Sequence, residues 1–162
     1  MRHTRLTALL LSGLLVGFRQ IAEKKIIGVF LIGDSTVADY TIYDDYTTRR
    51  YPITGWGQVF QAFMSHDSLV KVRNIIKADS VLVIDNARGG RSTRTFFEEG
   101  RWASVYQSLK PNDLVLIQFG HNMNFPTGSF EAYPTGQNDN THFQPERAAE
   151  VARMVFEALQ GI

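Results

Sequence analysis

Residues 26–38 read IIGVFLIGDSTVA, an unbroken apolar run from Ile26 to Ile32 that stops at Gly33-Asp34-Ser35. A short continuous apolar run bounded by a glycine fits a strand covered on both faces, as in a parallel sheet. The serine sits at the mouth of that strand. It is either a helix cap or a nucleophile, and the rest of the chain has to decide between them. At a strand-to-helix junction, the helix N-terminus beside Ser35 would favour developing negative charge.

The pattern recurs outward from this stretch. A polar, tyrosine-rich loop runs from Asp39 to Thr54. Gly55 to Met64 (GWGQVFQAFM) predicts a helix with Trp56, Val59, Phe60 and Phe63 on one face, read as core residues. Val81 to Ile84 is a second buried strand, ending at Asp85-Asn86-Ala87. A turn at Arg88-Gly89-Gly90-Arg91 follows, and Ser92 is placed to cap a helix running toward Tyr106. After the turn Lys110-Pro111-Asn112-Asp113, Leu114 to Phe119 is a third strand, ending at Gly120-His121-Asn122. Residues 123–138 read as loop. Asp139 to His142 leads to Pro145, a good first-turn proline, and to a helix over Glu146–Leu159. Its apolar side holds Ala149, Val151, Ala152, Val155, Phe156 and Leu159. Strands alternating with helices predict a layered α/β fold with a parallel sheet. In open sheets of that kind ligands bind beyond the strand C-terminal ends, where the three polar motifs converge.

The totals narrow the function. A chain of 162 residues suggests one domain, and 44% apolar with 20% charged residues is ordinary for a globular protein with a buried core. Seventeen basic residues against sixteen acidic ones, with no basic stripe, give no reason to expect nucleic acid as a partner. The absence of cysteine excludes disulfides, thiolate chemistry and cysteine-ligated metals. At the N-terminus, Arg2, His3 and Arg5 precede an apolar stretch from Leu6 to Phe18, the pattern of a secretory signal. The stretch falls short of the roughly 20 apolar residues needed to span a bilayer. Residues 1–22 are therefore expected to be a signal peptide and 23–162 the folded domain. The mature chain is expected to be secreted or periplasmic, with no stable membrane insertion.

An ester-cleaving serine enzyme needs an exposed hydroxyl, a histidine to take its proton and an acid to orient that histidine. It also needs donors for the oxyanion, typically backbone N–H groups or an Asn side chain. Each part is present at a loop position: Ser35, Gly90, Asn122, and the pair Asp139 and His142 three residues apart. Asp34 reads as a turn residue rather than a catalytic acid. Taken alone, Asp139 and His142 could be an ordinary capping pair before Pro145 or two metal ligands, the latter disfavoured because no other His, Asp or Glu clusters nearby. Arg91 and Arg94 read as solvated or paired charges, or as one that binds a carboxylate, since Arg binds carboxylates bidentately.

At these residues the chain resembles the SGNH (GDSL-type) hydrolases, and among them the rhamnogalacturonan acetylesterases. The matching pieces are Gly33-Asp34-Ser35-Thr36-Val37-Ala38, Gly55-Trp56-Gly57-Gln58, Asn86-Ala87-Arg88-Gly89-Gly90-Arg91-Ser92, Gly120-His121-Asn122 and Asp139-Asn140-Thr141-His142-Phe143. The resemblance covers residues 26–162. It implies a three-layer α/β/α, flavodoxin-like fold with Ser35 as nucleophile, His142 as base and Asp139 as its orienter. It implies an oxyanion hole of the Ser35 and Gly90 N–H groups and the Asn122 side chain. It also implies an acetylated polysaccharide of the pectin or rhamnogalacturonan type as substrate, and no metal or organic cofactor. The readings kept beside it are an esterase or lipase of the same fold acting on small or lipid esters, and an inactive remnant that at most binds carbohydrate.

Two departures stand out. The family usually continues Gly-His-Asn with Asp, where this chain has Met123. The interval from Asn122 to Asp139 is also shorter than the roughly 30 residues of a strand–helix–strand unit. The fourth and fifth strands of the family therefore do not fit there, and about three strands are expected instead of five. The third strand would then be an exposed apolar edge, open to self-association.

Overall fold

A computed structural model of the chain describes residues 24–120 and 142–162. The expected signal peptide, His121, Asn122, Met123 and Asp139 lie outside the described residues.

Three strands, β1 (Ile26–Gly33), β2 (Ser80–Asp85) and β3 (Leu114–Gln118), form a parallel sheet in the order β2-β1-β3. The register sets Val29 beside Val83 and Leu114, and Leu31 beside Asp85 and Leu116. β1 is thus the central strand, which explains its unbroken apolar run. Successive side chains of a strand point to opposite faces, so such a run feeds two cores. Ile27, Val29 and Leu31 join one core with Trp56, Phe60, Leu69 and Phe156. Phe30 and Ile32 join the other with Phe96 and Val105.

Helices cover both faces and make three layers. On the first lie α1 (Trp56–Phe60), continued by a 3-10 turn over Gln61–Met64, then α2 (His66–Leu69), and, from the far end of the chain, α5 (Pro145–Gln160). The second is covered by α3 (Thr93–Glu98) and α4 (Arg101–Ser108). Among the described helices, none is long and apolar enough to cross a membrane.

Several elements differ from the sequence reading. The helix expected from Ser92 to Tyr106 is two helices, because Gly100 turns the chain with φ 72°, a conformation that glycine adopts without strain. Ser92 is the expected cap: its hydroxyl accepts from the Thr95 N–H, and Thr95 Oγ1 accepts from the Ser92 N–H in return. The buried stripe of α5 is Ala148, Ala152, Phe156 and Leu159, so the stripe begins at Ala148 and Ala149 is only half-buried. α2 had no counterpart in the sequence reading.

The two sheet edges are finished differently. On β2 the side chain of Gln61 takes the place of a neighbouring strand. Val83 N–H donates to its Oε1 at 2.8 Å, and its Nε2 donates to Val81 O at 3.3 Å. Among the described residues β3 pairs with β1 alone, and its Ile117 is 61% exposed.

Candidate active site

The strand order places β1 at the switch point, where connections leave in opposite directions and a crevice opens beyond the strand ends. Gly33-Asp34-Ser35 leaves β1 at that crevice. Asp34 is fully buried and makes the turn. Its Oδ1 accepts from the Thr36 N–H at 3.0 Å and the Thr36 hydroxyl at 2.8 Å, and its Oδ2 accepts from the Gly120 N–H at 3.0 Å. One carboxylate thereby ties the ends of β1 and β3 together, as the turn reading of Asp34 required.

The helix expected directly after Ser35 is not there. Val37 and Ala38 N–H donate to Asp34 O, closing a single turn, and the next α-helix begins only at Trp56. The physical reason is the Asp34 side chain, which bonds its own backbone two residues on and offers the chain a turn in place of a helix. Ser35 therefore does not sit at the N-terminus of a helix.

α1 is pressed against this turn. Trp56 N–H donates to Thr36 O and Gly57 N–H to Val37 O, both at 2.9 Å. A side chain on Gly55 or Gly57 would run into the backbone of Val37. That close approach explains the two glycines of Gly-Trp-Gly-Gln. Trp56 is core as expected, and its Nε1 donates to Gln118 Oε1 at 2.6 Å. Gln118 Nε2 then donates to Thr36 Oγ1 at 2.8 Å, so β3, the turn and α1 share one polar link.

Ser35 itself is 4% exposed. Its carbonyl accepts from the Tyr40 hydroxyl at 3.1 Å, while its Oγ and N–H donate to no described residue. The ring of Tyr40 stands edge-on to His142, with centroids 6.0 Å apart. His142 is held in place through the next residue, where Thr54 N–H donates to Phe143 O at 2.9 Å. Ser35 and His142 thus flank the same tyrosine, although no hydrogen bond joins them. Tyr40 is fixed in turn by Gln58, whose Oε1 accepts from the Tyr40 N–H at 3.0 Å.

Gly89 and Gly90 follow β2 on the other side of Ser35. A Cβ on Gly89 would lie 3.7 Å from that of Ser35. Gly90 has φ 75°, open space where a side chain would be, and an N–H that donates to no described residue. A cleft of about 370 Å³ lies beside it, lined by Asp34, Gly90, Arg91, Ser92, Phe119 and Gly120 among others. Arg91 borders this cleft, but its guanidinium is already engaged by Glu99 and by Gly89 O. Arg101 above all, and Arg91 beside it, hold the Glu99 carboxyl below its usual range through their hydrogen bonds. Arg94 is exposed and paired with Glu98 one helical turn on.

One further acid stands near the turn. Asp85 ends β2 with Oδ1 accepting from the Ala87 N–H at 2.9 Å, while Oδ2 is sealed beside Gly57 without a partner. Burial, with the charge of Asp39 adding to it, pushes this carboxyl up to about 7.

Sequence reasoning missed Tyr40, Gln58, Thr36 and Gln118. For Gln118 a signal was available, since a polar residue interrupts the apolar third strand. Tyr40 was hidden in a loop with several tyrosines.

The described elements make a layered α/β chain with a parallel sheet and a Gly-Asp-Ser turn at its switch point. No family model matches it. The rhamnogalacturonan acetylesterase RhgT of Bacillus subtilis (strain 168) is 38% identical over 133 residues, which are 82% of this chain and 49% of that protein. A rhamnogalacturonan acetylesterase of Emericella nidulans is 32% identical over 94 residues, 58% of this chain and 27% of that protein. The solved structure of Bacillus subtilis YxiM aligns with 85% of this chain and 30% of its own, at a TM-score of 0.44 and 17% identity. The chain is rhamnogalacturonan acetylesterase-like, and it spans about half the length or less of the curated relatives it matches.

Proposed function

We propose that the chain is an exported serine esterase that removes acetyl groups from rhamnogalacturonan-type polysaccharide. Ser35 Oγ attacks the acetyl carbonyl, and His142, oriented by Asp139, takes the hydroxyl proton. The negative charge that develops on the carbonyl oxygen is met by the Ser35 and Gly90 N–H groups and the Asn122 amide. His142 returns the proton to the departing sugar oxygen. Water, activated by the same imidazole, then hydrolyses the acetyl-enzyme. Asp139 and Asn122 take these roles from the family resemblance. Export rests on the charged and apolar segment from Arg2 to Phe18.

The observation that carries the reading is the convergence of Ser35, Gly90 and His142. The Gly89-Gly90 turn lies against Ser35, Tyr40 joins Ser35 to His142, and the two backbone N–H groups have no acceptor among the described residues. The relatives' names supply the substrate class.

The test is fluorophosphonate labelling of the parent and Ser35→Ala chains, read by intact mass, with acetate release from acetylated rhamnogalacturonan measured alongside. A single adduct lost in the variant, together with acetate release, is the expected result. An unlabelled parent overturns the serine mechanism. A labelled parent that cleaves only small or lipid esters moves the chain to the other esterase reading.

A further inference from the structure

We propose that Arg88, rather than Arg91 or Arg94, is the residue that recognises a carboxylate on the polysaccharide, so that the site selects a uronate-containing chain. The choice of polymer rests on the reading above; the argument for the residue does not.

Arg88 leaves the end of β2 with its N–H on Gly33 O at 3.0 Å, one residue before the glycine that faces Ser35. Its guanidinium carbon lies over the ring of Tyr43, 5.2 Å from the centroid. Tyr43 neighbours Tyr40 at 6.2 Å between centroids, and Tyr40 touches both Ser35 and His142. An aromatic row therefore leads from the reacting groups to this cation.

A second guanidinium uses the same ring. Arg50 stands 4.1 Å from the Tyr43 centroid and is neutralised by Asp45 at 2.6 Å. Arg88 has no ion pair among the described residues. Two cations share one ring and one carboxylate between them. An incoming carboxylate would supply the counter-charge that Asp45 gives to Arg50 and that Arg88 lacks among the described residues. Guanidinium binds carboxylate through two parallel N–H bonds, and stacking on an aromatic ring holds the fork in a fixed plane beforehand. Arg91 and Arg94 lack this availability, because Glu99 and Glu98 already occupy them.

The probe is an unacetylated galacturonic acid oligomer, compared with a neutral galactose oligomer of equal length, titrated calorimetrically into the full chain. The parent is expected to prefer the acidic oligomer, with affinity falling as salt rises. Arg88→Gln should lose about tenfold on the acidic oligomer alone, the scale of one charge-assisted pair. Arg88→Lys should recover part of that loss, and Arg94→Gln, exposed and outside the cleft, should bind as the parent does. Unfolding midpoints of all variants check that each is folded. No preference in the parent, an unchanged Arg88→Gln, or an equal loss on both oligomers overturns the proposal. Binding needs no hydrolysis, so a chain that fails to label at Ser35 yet binds acidic oligomers through Arg88 refutes the esterase reading and supports this one.

Discussion

The imidazole of His142 meets the ring of Tyr40 edge-on, with an interplanar angle of 87°, while the hydroxyl of that same ring donates to Ser35 O. The proposed base and nucleophile are thus aligned through a third residue that takes no proton itself. Tyr40→Phe keeps the ring and loses the hydrogen bond. A bond of this kind contributes about 0.5–1.5 kcal/mol, so kcat should fall roughly 2- to 10-fold with little change in KM. Tyr40→Ala should lower kcat further, because His142 also loses its packing surface. Steady-state kinetics would check both, and a KM effect without a kcat effect would contradict the positioning role.

Asp85 predicts an unusual pH dependence of stability. Its carboxyl is raised from 3.8 to about 7, so the folded state holds the proton more tightly than the unfolded chain. That contribution is fully present below pH 4 and is lost as pH rises through 7. Asp85→Asn removes the buried charge. At pH 8 it should stabilise the chain by on the order of 1–3 kcal/mol, and near pH 4 it should change little. Urea unfolding at the two pH values would show it, and an equal effect at both would contradict the assignment.

Gly57 has helix α1 lying directly on the turn that presents Ser35. Gly57→Ala puts a methyl group against the Val37 carbonyl and the Asp85 carboxylate. Overpacking of this kind costs about 1–3 kcal/mol. Thermal unfolding should drop by on the order of 5–10 °C, and Ser35 labelling should slow even where the variant remains folded.

Ser92 borders the cleft two residues beyond Gly90 and caps α3. Ser92→Ala removes the hydroxyl that accepts from Thr95 N–H at the start of α3. The expected loss is about 1 kcal/mol of stability, read by chemical denaturation.

Much of the architecture was legible because it follows from local pattern. The unbroken run Ile26–Ile32 identified a two-sided strand, and that strand proved to be the centre of the sheet. Ser92 and Pro145 marked helix starts through capping chemistry that acts within one turn. What escaped the sequence depends on contacts between distant residues. Nothing near Gln118 in the chain reveals that it bonds both Thr36 and Trp56. The missing helix after Ser35 was a local misjudgement, since an aspartate two residues before a threonine is a turn signal in its own right. At the site, spacing and resemblance pick out Ser35, Gly90 and His142 as candidates, and the fold brings Ser35 and His142 to the same tyrosine. Tyr40 was not, because its part depends on which face of a loop meets two other loops.

The amide of Gln61 on β2 has a consequence for how copies of this chain can meet. Among the described residues the sheet is closed along β2 by Gln61 and unpaired along β3, so on these elements it offers one side to a further strand. Two such sheets that join edge to edge exhaust each other, so the contact closes as a pair. A fibre needs two open sides on every unit. Gln61→Ala would supply the second, so a contact that could otherwise only pair would be able to propagate.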